Sequence, residues 1–356
     1  MTNVNSESFS KQKPTRHKFT ITNEQIGKGG FGIVYIAIGE RVDDEKSVKK
    51  KYVAKEIINV LKNSQIENEY LIGTELYNKN LVKIYEPIWQ NEKLYFISEF
   101  CNGGNLYEMG KNIKINQEIV QKIMKDVLFG LSALHRNKII HHDLKESNIL
   151  INFKNDEEKV DYLKADFKIS DFGLSKYKDN ILISMPGGTS IYLPPEKIEQ
   201  KFNQNLITDD SYFNNESIDI WAIGIITYRL LLKCDPFLNK NFNYKNLNEK
   251  EQKQIIYKHL YENMKKGEYE IDWKNYDVSY ELICFLDSCL KKSPEIREKS
   301  EDLEFSRFIT RDFKKFHKID QNYFDKLPKE FKKDDKIILN INNPDLIKNN
   351  KKFKPL

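Results

Sequence analysis

Residues 26–39 read IGKGGFGIVYIAIG, and the way this stretch continues decides the architecture. Gly27, Gly29 and Gly32 fit the spacing G-x-G-x-x-G, with Val34 two residues further on. Glycines so placed let backbone N–H groups approach phosphate oxygens with no Cβ in the way. The same residues also suit a plain β-turn, and dinucleotide-binding folds use a similar spacing. The flanks separate these readings. A dinucleotide site wants a strand before the glycines and a helix after them, whereas GIVYIAIG continues as a strand. The loop is therefore expected at the tip of a hairpin lying over phosphates.

From Phe19 to Phe100 the apolar residues alternate or form short β-branched and aromatic groups, with one helical interruption around Ile66 to Tyr77. After the turn cluster Asn102-Gly103-Gly104-Asn105 the period becomes helical. Ile119, Ile123, Val127, Leu128, Leu131 and Leu134 share one face of Glu118 to Arg136. Helical patterns recur over Ile218 to Leu232, Glu251 to Lys265 and Tyr280 to Lys292. The expected fold is α+β and bilobal: a β-rich N-lobe over 19–101 with one main helix, then a larger, mostly helical C-lobe over 102–309. A flexible N-terminal tail, 1–18, precedes them. A Lys-rich C-terminal tail, 310–356, follows, with a short strand or helix at Lys336 to Asn340 and solvation as its expected state. Three charged stretches, Arg41 to Lys51, Phe153 to Asp166 and Asn239 to Gln254, read as surface excursions.

A chain of 356 residues, 39% apolar and 12% aromatic, has the material for two such lobes. Lys and Arg number 58 against 53 Asp and Glu, and the signs are interspersed, which favours solubility over a nucleic-acid surface. The cysteines, Cys101, Cys234, Cys284 and Cys289, form no C-x-x-C pair and no Cys/His spacing of the zinc kind. A reducing, cytoplasmic setting is expected, with the nucleus left open. The N-terminus is polar and basic without an apolar core, so no secretory signal is expected. The longest apolar run, Ile218 to Leu232, contains Asp219 and Arg229 and is too short for a transmembrane segment.

Three further motifs carry chemistry. In YVAKEI, Lys55 lies in a strand-like run, and an inward-facing ammonium there needs an anionic partner. In HHDLKESNIL, residues 141–150, Asp143 can accept a proton from an incoming hydroxyl and Lys145 can offset charge on a transferred group. Asn148, with Asp171 of the following DFG, supplies hard oxygen ligands for magnesium.

Glycine loop, strand lysine, HxDLKxxN and DFG, in this order, resemble the eukaryotic protein kinase family from about Phe19 to Ile309. Gly188-Thr189 and Pro194-Pro195-Glu196 look like the end of an activation segment. Asp219, Ile220, Trp221 and Gly224 look like the family's D-x-W-x-x-G helix, and Arg297 of SPEIR sits where an arginine pairs with the segment's glutamate, here Glu196. The resemblance implies a bilobal kinase fold, ATP and Mg2+ as cofactors, and Ser/Thr hydroxyls of proteins as substrates, because Lys145 in DLKES is of the Ser/Thr type. The run DFGLSK and the SPEIR end are loosely similar to calcium/calmodulin-dependent kinases.

Carried over residue by residue, the resemblance pairs Lys55 with a helix glutamate, Glu69 or else Glu67; choosing Glu69 puts Gly73 where an apolar residue is usual. It makes Thr189 the hydroxyl that bonds Asp143 and Lys145. It lines the nucleotide site with Ile26, Gly27, Lys28, Gly29, Gly30, Phe31, Gly32, Val34, Val53, Lys55, Ser98 as gatekeeper, Glu99 and Cys101 in the hinge, Asn105 and Leu150. Asn105, Ser147 and Arg229 stand where basic-directed relatives carry carboxylates, so strict selection of an upstream basic residue is not expected; Glu146, next door, is a partial substitute. Ser184 and Ser190 are open as phosphoacceptors.

His142 replaces the arginine that in most relatives clamps a phosphorylated activation loop. It is either a tolerated substitution or one that frees activity from that phosphate, and substantial basal activity is expected. The alternative, a pseudokinase or scaffolding module, would be announced by loss of Lys55, Asp143, Asn148 or Asp171, and all are present. A partner for the basic tail is left unidentified.

Overall fold

The computed structural model describes residues 17–29, 32–41, 48–57, 63–155, 161–177, 190–202, 215–238 and 249–343. The N-lobe is one antiparallel sheet of five strands in the order β1-β2-β3-β5-β4. Its strands are β1 (His17–Gly29), β2 (Gly32–Arg41), β3 (Lys50–Ile57), β4 (Ile84–Gln90) and β5 (Lys93–Glu99). The two-residue period of β3 puts Tyr52 and Ala54 into an apolar cluster with Ala37, Tyr95 and Ile97 on one face. Val53 and Lys55 consequently face the cleft. Gly29 pairs with Gly32 across the hairpin, and a Cβ on Gly32 would lie 2.0 Å from the Glu56 carbonyl oxygen, so only glycine allows this approach.

Helix α1 (Asn63–Glu75) covers the sheet through Ile66 and Tyr70, which pack with Ile57, Ile84, Leu94 and Phe96. A Cβ on Gly73 would sit 2.4 Å from Ile84 Cγ1. The space reserved for an apolar helix side chain is thus filled from β4 by Ile84.

The C-lobe is built from α2 (Leu106–Asn112), α3 (Gln117–Arg136), the short strands β6 (Ile139–Ile140), β7 (Ile149–Asn152), β8 (Asp166–Ile169) and β9 (Lys176–Tyr177), then α4 (Pro195–Phe202), α5 (Ser217–Leu232), α6 (Glu249–Lys266), β10 (Glu268–Ile271) and α7 (Tyr280–Cys289). Asn116 caps α3 by accepting from the Ile119 amide at 2.9 Å. The apolar run of α5 is buried nearly all round, with Trp221 0% exposed, so it is the central core helix. Among the described residues no helix is long and apolar enough to cross a membrane. Helix α6 starts at Glu249, earlier than the charge-rich reading of 239–254 suggested. Helix α7 stops at Cys289, short of Lys292, because the Lys291 and Lys292 carbonyls turn to accept from Arg297 at 2.7 and 3.0 Å. Residues 42–47, 156–160 and 239–248 of the three charged stretches lie outside the described residues.

The C-terminal reading needs correction. Over 311–343 the Lys-rich tail is folded onto the C-lobe, where β12 (Lys336–Asn340) pairs with β10 on one side and β11 (Lys332–Lys333) on the other. Phe324 stacks on Trp273 at 5.1 Å, and Ile337 and Leu339 are fully buried. Buried Glu281 of α7 ties the segment down by accepting from Arg311 and His317 at 2.7 Å each. The lysines stay at the surface while the interleaved apolar residues join the core.

Candidate active site

Lys55 on β3 donates to Glu69 Oε1 of α1 at 2.6 Å and to Asp171 Oδ1 at 2.9 Å. Glu67 is exposed and does not take this place. Burial opposes the charge on Lys55, yet the two carboxylates hold its pKa above the ordinary value. Burial keeps Glu69 above the usual carboxylate range, whereas Lys55 pulls the less buried Asp171 below it against its own desolvation. The Asp171 backbone sits at φ 64°, in the left-handed region, which aims the side chain back at the cleft.

The loop from His141 to Asn148 is held from beneath. Asp219 of α5, 0% exposed, accepts from the His141 and His142 amides at 2.8 and 3.0 Å and from His135 Nε2 at 3.0 Å. Burial works against the Asp219 charge, but hydrogen bonding and charge from His135 keep its pKa below the usual range. On this platform Lys145 donates to Asp143 Oδ2 at 2.6 Å, and Asn148 Nδ2 donates to the Asp143 carbonyl at 2.9 Å. Asn148 Oδ1 and Asp171 Oδ2 therefore remain as oxygen donors lining one cleft, a set that fits magnesium, which binds through one or two protein oxygens plus phosphates. His142 takes φ 66°; its Nε2 has no hydrogen-bond partner among the described residues, and burial, with Lys197 and Lys176 adding to it, pushes its pKa down to about 4.

Between the lobes lies a cleft of 730 Å³. It is lined by Ile26, Gly27, Lys28, Gly32 and Val34 from the glycine loop, and by Val53, Lys55 and Glu69 behind them. Ser98, Glu99 and Cys101 of the hinge, and Asn105, Lys145, Asn148, Leu150 and Asp171 of the C-lobe, also line it, whereas Asp143 does not. Gly29 is not among the lining residues, and Gly30, Phe31 and Thr189 lie outside the described residues, as does Ser184. Of Ser190 only the backbone is described, opening a turn over Ser190–Tyr192.

Motif reading missed several members. Val82, Ile84, Phe96 and Phe172 supply apolar wall, and the Ile84 wall is foreshadowed only by the glycine opposite it. The Glu99 side chain turns away from the cleft, accepting from Lys168 Nζ at 3.0 and 2.8 Å and from the Lys83 amide at 2.8 Å. Arg297 meets Glu196 in a two-bond pair at 2.6 Å each, with side chains 0% and 1% exposed. Glu146 cannot stand in for the missing upstream carboxylates, because it is buried and accepts from Arg229 Nε at 2.8 Å and from the Tyr192 hydroxyl.

The family described as "Protein kinase domain" matches residues 20–309. Aurora kinase C of Mus musculus is 32% identical over 234 residues, which are 63% of this chain and 75% of that protein. Calcium-dependent protein kinase 5 of Plasmodium berghei (strain Anka) is 30% identical over 272 residues, 75% of this chain and 42% of that protein. Aurora kinase B of Mus musculus is 29% identical over 242 residues, 64% of this chain and 61% of that protein. With a family match over 20–309 and these relatives, the chain belongs to the eukaryotic protein kinase family and is an enzyme of its serine/threonine class.

Proposed function

We propose that the chain transfers the γ-phosphoryl group of Mg-ATP to Ser or Thr hydroxyls of proteins in the cytoplasm, without strict dependence on activation-loop phosphorylation. The observation that carries this reading is the convergence of Lys55, Lys145, Asn148 and Asp171 on one 730 Å³ cleft roofed by the glycine loop. Lys55, fixed by Glu69, holds a phosphate oxygen. Asn148 and Asp171 would hold magnesium, which would supply charge neutralisation on the phosphates. Asp143 orients the acceptor hydroxyl and takes its proton, while Lys145, 2.6 Å away, keeps that carboxylate in place and faces the transferred group. The Asp219 platform fixes the loop before substrate arrives, so little reorganisation is left for the chemical step.

A coupled ATPase and protein-phosphorylation assay beside Asp171→Asn tests this. Loss of about a thousandfold in kcat with folding intact is expected, as for removal of a group that acts mainly in the transition state. Turnover unchanged in the variant overturns the magnesium assignment.

A further inference from the structure

A second pocket of 270 Å³ adjoins the catalytic loop. Glu146, next in sequence to Lys145, and Arg229 of α5 form its wall, and Lys111 and Lys233 also line it. The lining carboxylates, Glu146 and Asp235, are both turned onto Arg229: Glu146 Oε1 accepts from Nε at 2.8 Å, and Asp235 accepts from Nη1. The second Glu146 oxygen accepts from Tyr192, so both Glu146 oxygens are engaged, while Asp235 commits one of its two oxygens to Arg229. The cations are in the opposite position. A guanidinium has five N–H donors, and Nη2 of Arg229 has no hydrogen-bond partner among the described residues. Lys233, exposed, gives one of its three donors to the Gly110 carbonyl at 3.2 Å. Lys111 is partly offset by Glu108 at 3.3 Å.

We infer that this pocket is a substrate subsite for an oxyanion, the carboxylate or phosphate of a residue flanking the acceptor hydroxyl, received by Arg229 and Lys233. The inference rests on the proposed phosphotransfer. The Nη2 donors of Arg229 beside the Lys233 ammonium suit such a group, whereas an Arg or Lys of the substrate meets like charge from both.

The test is a positional peptide scan with the full chain and Mg-ATP, placing Ala, Arg, Glu or phosphoserine at each site upstream of a Ser acceptor. At one upstream position, Glu or phosphoserine is expected to exceed Arg in kcat/KM by about tenfold. The Glu and phosphoserine arms tell a carboxylate preference from a phosphate preference. Lys233→Glu and Arg229→Gln are each expected to erase or invert that ratio. Selection that is flat, that favours Arg, or that both variants leave intact overturns the subsite while phosphotransfer stands. Absence of transfer to every peptide and to generic protein substrates overturns the kinase reading, and the subsite with it.

Discussion

The segment that follows Asp171 is anchored at its far end by an ion pair, whereas at its near end the residue beside Asp143 is a neutral imidazole. At the far end the Glu196 carboxylate and the Arg297 guanidinium meet in a dry, two-bond pair, with the Arg297 guanidinium 5.1 Å from the Trp221 ring. At the near end His142 offers a neutral ring, and its backbone amide donates to Asp219. The first anchor is complete in the unmodified chain. The second cannot hold a phosphate as a guanidinium would, which supports an activity that does not wait for one.

The comparison breaks most visibly at Arg297. Arg297→Met leaves a buried, unpaired Glu196 and is expected to cost about 3–5 kcal/mol in denaturant unfolding, whereas adding Glu196→Leu should recover most of the loss. A loss near zero for the single variant would mean that the pair does not anchor the segment. A smaller effect is expected at His142. Phosphatase treatment should lower wild-type kcat by less than roughly threefold, and His142→Arg should make the enzyme depend on activation-segment phosphate by about tenfold, the scale of one charge-assisted contact. Abolition of wild-type activity by phosphatase, with recovery on rephosphorylation, would reverse the reading of His142.

The smallest effect is in pH. His142 has a native pKa of about 4 against 6.5 unfolded, so between these values the unfolded chain binds the extra proton. Stability from this group is complete above about pH 6.5 and falls as pH drops toward 4. Because the ring is only partly enclosed, the loss is expected at about 1–2 kcal/mol. His142→Gln should flatten that part of the stability curve, and an unchanged slope would show that other groups titrate there.

The contrast also shows what was legible. Lys55, Asp143, Lys145, Asn148 and Asp171 stand in short motifs whose spacing is dictated by the geometry of phosphates and metal, so they can be read without a fold. The paired strands were legible for a similar reason, since alternation reports burial on one face directly. The tail was misread because its lysines dominate composition, while the residues that decide its fate, Phe324, Ile337 and Leu339, find partners such as β10 and Trp273 far away in sequence. Glu146 was misread because a carboxylate in sequence does not disclose which cation will claim it.

By itself, the sequence determined the order of motifs, the two-lobed α+β division and the groups proposed to hold phosphate, metal and a departing proton. Those are properties of residue type and local spacing. Only the tertiary structure decided that Glu69 rather than Glu67 holds Lys55, that Asp219 carries the catalytic loop, that Lys168 claims the Glu99 side chain, and that Arg229 claims Glu146. Each is a contact across a long stretch of chain. Which partner a buried charge finds is set by the fold that desolvates both, not by its neighbours in sequence.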